Sequence, residues 1–430
     1  MSAPPPKFRV AIWSWWGIGG LCLAVALSQH NIQVDVYEGA EHFKEIGAGV
    51  MIWQRTLRIL ELMGLGRQFS RVADTPPDPA IAIGFDYRRS DRPEGFNWKL
   101  VAMPYGCIRF HRAHFLDVFV DQLPKGVAHF GKRLTSYSRN STDITLAFSD
   151  GTTATCDLLV GCDGIKSIVR TQMLWTKAKD EERPDLLDLI EPKWTGTIAY
   201  RGLIPSGNLP NTDGTQHRTL LSPMMYCGQN KHIVSYSIAQ GRIVNFVAFA
   251  SDQQKQDTEY GTEWVSKCSK HEVLDCFSGW EPEVSQLLER IENPTKWGIH
   301  DLHPLPFFVA DKVVLLGDAA HGMSPHLGAG AGQAIEDAYI LARVLAAAAS
   351  DSLDAALEAY QRIRLPMANR VLTSSRESGK MYEFNSQYVE EYPLLGIAIE
   401  RQWNFLTETT PEEEAEKALG IFNVELRLKV

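Results

Sequence analysis

No apolar run in this chain approaches the roughly 18 residues needed to cross a bilayer as a helix, so a membrane-spanning protein is not expected. Patterned cysteine is missing too. The seven cysteines (Cys22, Cys107, Cys156, Cys162, Cys227, Cys268 and Cys276) form an odd set without CxxC spacing. That argues against a zinc site or a secreted disulfide framework and for a reducing compartment. Positive charge is in deficit: 43 Lys and Arg against 52 Asp and Glu leave a net charge of −9. Broad attraction to nucleic acid or to an anionic membrane is therefore not expected, although the global balance leaves room for a local basic pocket. The opening Met-Ser-Ala-Pro-Pro-Pro-Lys lacks the apolar segment of a signal peptide, and the expected location is the cytoplasm. There is no internal repeat.

What is present suits an enzyme. A chain of 430 residues, 44% hydrophobic, is long enough for two or three domains and a sizeable core. Phe8–Ile12 alternates as a short strand, Leu21–Ser28 is an apolar run of helix formers, and Gln33–Glu38 reads as a second strand ending in an acid. This is a βαβ opening. Helical spacing recurs at Leu57–Leu65 and His114–Leu123, and two strands flank an Asp-Gly turn over 141–160. From about 180 to 300 strand-like segments dominate (Thr197–Ile204, His232–Ile238, Arg242–Ala250) and suggest a second domain. A short apolar strand, Lys312–Leu316, leads to a helix over Ala331–Ala349. A longer helix follows over Asp354–Lys380, where Pro366 predicts a kink. A charged helix closes the chain at Glu412–Lys417.

Three motifs carry the chemistry. In the first, Gly17, Gly19 and Gly20 lie between strand and helix, where bare backbone can approach a pyrophosphate resting on the helix N-terminus. Glu38, 18 residues beyond Gly20, suits the ribose hydroxyls of an adenosine. A mere tight turn is the competing reading of the glycines alone. Trp15 stands where the first glycine of a GxGxxG fingerprint belongs, beside Trp13 and Trp16. Either this turn is built differently and holds its ligand poorly, or the tryptophans record a local slip of reading frame.

The second motif is Leu158-Leu159-Val160-Gly161-Cys162-Asp163-Gly164, continuing to Val169-Arg170. The third runs from Leu315-Leu316-Gly317-Asp318 through His321 to Pro325-His326-Leu327-Gly328-Ala329-Gly330. Asp318 follows a buried strand and would sit at the carboxyl edge of a sheet, able to accept a hydroxyl hydrogen bond. Gly328–Gly332 offers backbone amides before an apolar helix, suited to a group whose reduced form is anionic. A capped helix after a glycine-rich connection is the plainer alternative for that stretch, and an Asp-Gly turn is the plainer one for Asp163.

Together the three motifs, in this order over about 10–380, resemble the single-component FAD-dependent aromatic monooxygenases, in particular the salicylate hydroxylase-like and fungal hydroxybenzoate hydroxylase branch. The resemblance implies an α/β fold: a Rossmann-like FAD-binding domain, a β-sheet substrate domain and C-terminal helices. It divides the chain into a discontinuous FAD-binding domain (7–75, 105–180 and 300–345), a substrate domain (76–104 and 181–299) and a helical region (346–430). It implies FAD held by Gly17, Gly19, Gly20, Glu38, Gly49, Arg112, Asp163, Gly164, Asp318, Gly328 and Gly330. Gly49 falls in Gly47-Ala48-Gly49-Val50, which resembles a second glycine turn, and Arg112 in Arg109-Phe110-His111-Arg112 matches an arginine directed at the flavin linker.

On the substrate side, Tyr200-Arg201-Gly202 resembles the strand that opens the family's substrate sheet. Pro325 and His326 would lie between flavin and substrate, with His326 contacting or deprotonating a phenol because imidazole titrates near neutrality. A structural histidine is its plain alternative. Arg201, Arg242 and backbone groups compete for a substrate carboxylate, and His321 reads as a supporting residue. His300 and His303 lack the companions of a metal site. The implied reaction uses NADH or NADPH and O2 to hydroxylate a phenolic aromatic acid, releasing CO2 if oxygen lands on the carboxylated carbon. A hydroxylase or epoxidase of a larger natural product and a scaffold impaired in flavin binding are the competing expectations. Expected partners are a small aromatic molecule and at most a second copy of the chain, as monomer or homodimer.

Overall fold

The computed structural model describes residues 8–14, 17–41, 49–140, 143–210, 215–261 and 263–428. Two large sheets organise it. The first has six strands in the spatial order Val309–Ala310, Val313–Leu315, Leu158–Cys162, Arg9–Ser14, Gln33–Glu38 and Ala128–His129. All neighbours in it are parallel except the first pair. Its central strands are buried on both faces, as parallel strands covered by helices must be. Helices Ile18–Gln29 and Gly330–Ala347 pack against one another over this sheet and share its apolar core.

The second sheet has eight strands: Val265–Lys267, Thr295–Asp301, Lys193–Pro205, Ile243–Ser251, Lys231–Ile238, Met224–Gly228, Ile81–Arg89 and Phe96–Pro104. It is antiparallel except between Met224–Gly228 and Ile81–Arg89. Period-two alternation gives it two distinct faces. Ile204, Ile233, Phe246 and Ala248 point to a core completed by helices Lys270–Cys276 and Pro282–Arg290. The residues between them point the other way, toward the first sheet.

Several sequence expectations change in detail. The Asp-Gly segment yields three strands. Ile144–Phe148 and Thr153–Cys156 join Leu134–Arg139 in a small meander, and only Leu158–Cys162 enters the parallel sheet. Pro366, where a kink is expected, lies inside a single helix, Leu353–Tyr382. Proline lacks only one amide, and an apolar buried face on both sides holds the helix together across it. The charged tail is the start of a longer helix, Pro411–Leu428, whose buried Ala415, Ala418 and Phe422 join the main core. All seven cysteines are free thiols. No helix among the described residues is long and apolar enough to cross a membrane.

Candidate active site

The two sheets enclose a cavity of about 500 Å³. One wall is made of chain turns. Gly17, Gly19 and Gly20 line it, with Gly164, Gly317, Asp318, Gly328 and Gly330 beyond them. A side chain on Gly19 would come within 2.4 Å of Leu316 Cδ2, and one on Gly20 within 2.8 Å of Ser14 Oγ. Backbone is what fits here. The helix that starts at Ile18 has no side-chain cap and no acid in its first turn, and neither does the helix that starts at Gly330. Their free amides suit a pyrophosphate and an anionic ring edge. Gly317 has φ +63 and Gly328 φ +55, backbone conformations that glycine adopts without strain. The exposed Asp318 carboxyl lines the same wall and could accept hydrogen bonds from hydroxyl groups. Arg112, first residue of helix Arg112–Val120, lines the cavity too. The donor set and the bare-backbone cradle therefore fit FAD.

A buried charge network holds this wall in place. Asp337 Oδ2 accepts from the Gly317 amide at 3.0 Å and pairs with His321 Nε2 at 2.6 Å. Its Oδ1 accepts from Arg364 Nε at 2.7 Å. Arg364 also reaches Glu336 at 3.0 Å, and Arg55 joins Glu336 (3.2 Å) to Glu414 (2.8 Å). His321 and Arg364 keep the Asp337 carboxyl ionised, its pKa lowered to about 2 against the opposing effect of burial. A second tie comes from Arg170, which donates to the carbonyls of Ile165 and Ala319 and so joins the two cofactor turns. Burial lowers its pKa to about 10.

The opposite wall is made of side chains from one face of the eight-stranded sheet. Ala199 and Arg201, Asn245, Val247 and Phe249, Val234 and Tyr236, and Trp297 all line it. Registry sets them side by side: Arg201 opposes Val247, which opposes Val234, while Ala199 opposes both Phe249 and Trp297. The guanidinium of Arg201 lies 4.8 Å from the centre of the Trp297 ring. Asn245 Oδ1 accepts from the Gly49 amide at 3.0 Å, tying the sheet to the strand Gly49–Ile52. Toward Lys166 the cavity is bounded by Trp264, stacked on His300 at 3.6 Å with Lys166 at 3.8 Å over its ring.

Most residues singled out in the sequence meet at this cavity: Gly17, Gly19, Gly20, Gly49, Arg112, Gly164, Arg201, Asp318, Pro325, Gly328 and Gly330. Three land differently. Glu38 ends its strand in register with Ser14, but its buried carboxyl accepts from the Ala40 amide at 3.0 Å and is outside the cavity lining. Asp163 directs its carboxylate to Ser167 Oγ (2.5 Å) and to the amides of Ile168 and Val169, so it anchors the helix Ile168–Asp180 and is outside the cavity lining. Four residues separate it from that helix start, close enough for local capping to win.

His326 sits beside the main cavity instead of in its lining. Its ring packs against His232, Phe249 and Gly379, and lines a second, small cavity beside the main one. Burial lowers its pKa to about 3. Phe249 occupies the main-cavity wall at this point, with its ring centre 5.1 Å from that of His326.

Of the competing arginines, Arg242 donates to the Ala239 carbonyl in a turn and is outside the lining. His300 hydrogen-bonds Gly298, and His303 pairs with Asp257. Trp15, Trp16, Gly47 and Ala48 lie outside the described residues. The sequence reading missed Tyr236, Asn245, Val247, Phe249, Trp264 and Trp297. The alternation of Asn245, Val247 and Phe249 was a usable signal, but it marks two faces without saying which one meets a cavity.

Known proteins agree with this geometry. The FAD binding domain family matches residues 17–190 and 246–375. A salicylate hydroxylase of Pseudomonas putida is 38% identical over 415 residues, covering 94% of this chain and 93% of that protein. A 6-methylsalicylate 1-monooxygenase of Aspergillus terreus is 35% identical, covering 87% and 83%. The solved substrate complex of a salicylate hydroxylase superposes with a TM-score of 0.85 at 33% identity, covering 96% of this chain and 98% of that one. The scaffold reading falls, and the chain belongs to the FAD-dependent aromatic monooxygenases of the salicylate hydroxylase-like kind.

Proposed function

We propose that this enzyme hydroxylates a small phenolic aromatic acid of the hydroxybenzoate or salicylate kind, drawing electrons from NADH or NADPH and oxygen from O2. The observation that carries the reading is Arg201, the charged side chain on the part of the sheet face that lines the cavity. Ala199, Val234, Val247 and Phe249 around it are apolar, so they exclude water and hold a ring by contact. A guanidinium in such a floor pairs naturally with a carboxylate on that ring. The names of the similar salicylate and 6-methylsalicylate enzymes support the same substrate class.

When bound, FAD would supply the redox chemistry by which NAD(P)H electrons reduce O2, one oxygen atom entering the ring and the other leaving as water. The protein's own part is placement. Arg201 orients the acid, the apolar floor aligns the ring, and Asp318 with the turns opposite fixes the cofactor. Oxygen delivered to a carboxylated carbon expels CO2; delivered elsewhere it leaves a new hydroxyl. The glycine-turn residues and Arg112 are assigned to FAD, and Pro325 to the space between ring and cofactor. The enzyme is assigned to the cytoplasm as a monomer or homodimer, with the three-part domain division implied by the motifs.

The test is direct. Flavin-loaded protein is mixed with salicylate or another hydroxybenzoate, and NAD(P)H oxidation, O2 uptake and CO2 release are recorded. Stimulated oxidation with a hydroxylated product supports the assignment. No stimulation by any hydroxybenzoate, in protein that retains flavin, removes this substrate class.

A further inference from the structure

Behind the floor of the main cavity lies a smaller one, of about 20 Å³, lined by Thr197, Ser251, Ser324, His326, Arg376 and Glu383 among others. Ser324 lines both cavities. Its hydroxyl is buried, and no described residue hydrogen-bonds to it. The same holds for His326 Nδ1 and for Nε2 of His232, whose ring centre is 5.0 Å from that of His326. Three buried polar atoms without partners in one small region are costly unless they serve something. A space of this size admits one water molecule, and a water needs two to four polar partners.

From there hydrogen bonds continue outward. His232 Nδ1 meets Glu383 Oε1 at 2.9 Å, Ser251 Oγ donates to the same oxygen at 2.9 Å, and Thr197 Oγ1 lies 2.8 Å from Ser251 Oγ. Exposed Gln253 and half-buried Gln256 line the same cavity.

We propose that Ser324, His326, His232 and Glu383 form a proton relay that carries the phenolic proton of the substrate out of the main cavity to solvent. This rests on the phenolic substrate proposed above. The phenol O–H bond breaks, its electron pair stays on oxygen, and the proton passes by Ser324 and the imidazoles to the Glu383 carboxylate. Glu383 then releases a proton by Ser251 and Thr197 to water, so no oxidant or reductant is consumed. Ser324 is the member placed to meet the substrate; His326, His232 and Glu383 act through it.

The surroundings suit the task. His232 and His326 face Glu383 from the sheet and from the turn after Ser324, with Tyr382 against His232. Arg376 and Lys380 lie on the same helical segment and line the same small cavity, but each has its own acid: Arg376 pairs with Asp301 and Asp257, Lys380 with Glu377. Neither guanidinium nor ammonium is thereby dedicated to Glu383. Burial lifts its carboxyl to about 7, where an acceptor works best at neutral pH.

The relay is tested by stopped-flow mixing of flavin-loaded protein with a nitrosalicylate whose phenolate absorbs in the visible. Phenolate formation should slow about tenfold or more in Ser324→Ala and in Glu383→Gln, while the dissociation constant moves less than about threefold. Glu383→Asp should recover part of the rate. An unchanged rate in both variants, or a loss that tracks binding, overturns the relay. Failure of the wild-type protein to bind the probe counts against the substrate class instead. The relay is then judged in ligand-free protein by infrared titration: a carboxyl ionising near neutral pH should be present and should vanish in Glu383→Gln. Its absence from the wild-type protein overturns the relay whatever the cavity binds.

Discussion

The two walls of the cavity are built from different parts of the polypeptide. The cofactor wall is backbone: three glycine turns, two uncapped helix starts and a buried ion network that holds them. The substrate wall is side chain: residues two apart on four neighbouring strands, brought level by registry. A wall of backbone is intolerant of added atoms but indifferent to most side-chain chemistry. A wall of side chains can change one residue at a time and keep its shape. The contrast predicts that substitutions on one side govern stability and flavin retention, and on the other govern substrate affinity.

The largest effect expected is from Arg364→Ala, which leaves buried Asp337 with His321 alone and buried Glu336 with Arg55 alone, and should cost about 3–5 kcal/mol. Denaturant unfolding of the variant measures it, and the freed Gly317 turn should also release flavin. A loss below about 1 kcal/mol would mean that the network does not hold the wall. Next, Gly19→Val forces a side chain onto Leu316 and Ala334 and should cost about 1–3 kcal/mol. Flavin absorbance after gel filtration should fall markedly, whereas the same measurement on Val247→Ala should show flavin retained. Flavin loss of equal size in both would erase the distinction between the walls.

Arg201→Gln reads the other side. Loss of a charge-assisted contact of about 1.5–3 kcal/mol should raise KM for a hydroxybenzoate by about tenfold or more, with flavin content unchanged. An unchanged KM would move the carboxylate site elsewhere.

The smallest effect is on acid stability. Burial holds His326 neutral in the folded protein, with its pKa lowered to about 3, while an unfolded histidine titrates near ~6.5. As pH falls below ~6.5 the unfolded chain binds a proton that the folded one refuses, so stability present above ~6.5 is lost progressively toward ~3. Thermal scans at ~pH 7.5 and ~pH 5.5 should show a smaller drop in Tm for His326→Phe than for the wild-type protein. An equal drop would place the acid sensitivity in other groups.

Much of the cofactor wall was legible because its determinants are contiguous. A glycine flanked by a strand and a helix announces its own geometry, and Gly317-Asp318 follows a strand recognisable from Val313, Val314 and Leu315. Less legible were the places where a residue with a motif role also meets a partner close by in the chain. Asp163 was read toward a ligand, yet Ser167 and two helix amides lay within six residues. Glu38 similarly turned to the Ala40 amide. His326 lies beside Pro325 in sequence, but the absence of a side chain at Gly379, 53 residues away, opens the space its ring occupies. No local pattern reports such a space.

The sequence by itself determined the parallel βαβ opening, the three turns where backbone must meet a nucleotide, and through them the family, because each rests on residues adjacent along the chain. Only the tertiary structure decided which face of the antiparallel sheet became the substrate floor, which arginine faces it, and that Ser324 opens onto two cavities. Those choices depend on strand registry and on what packs behind each strand, and both are set by contacts between residues far apart in the chain.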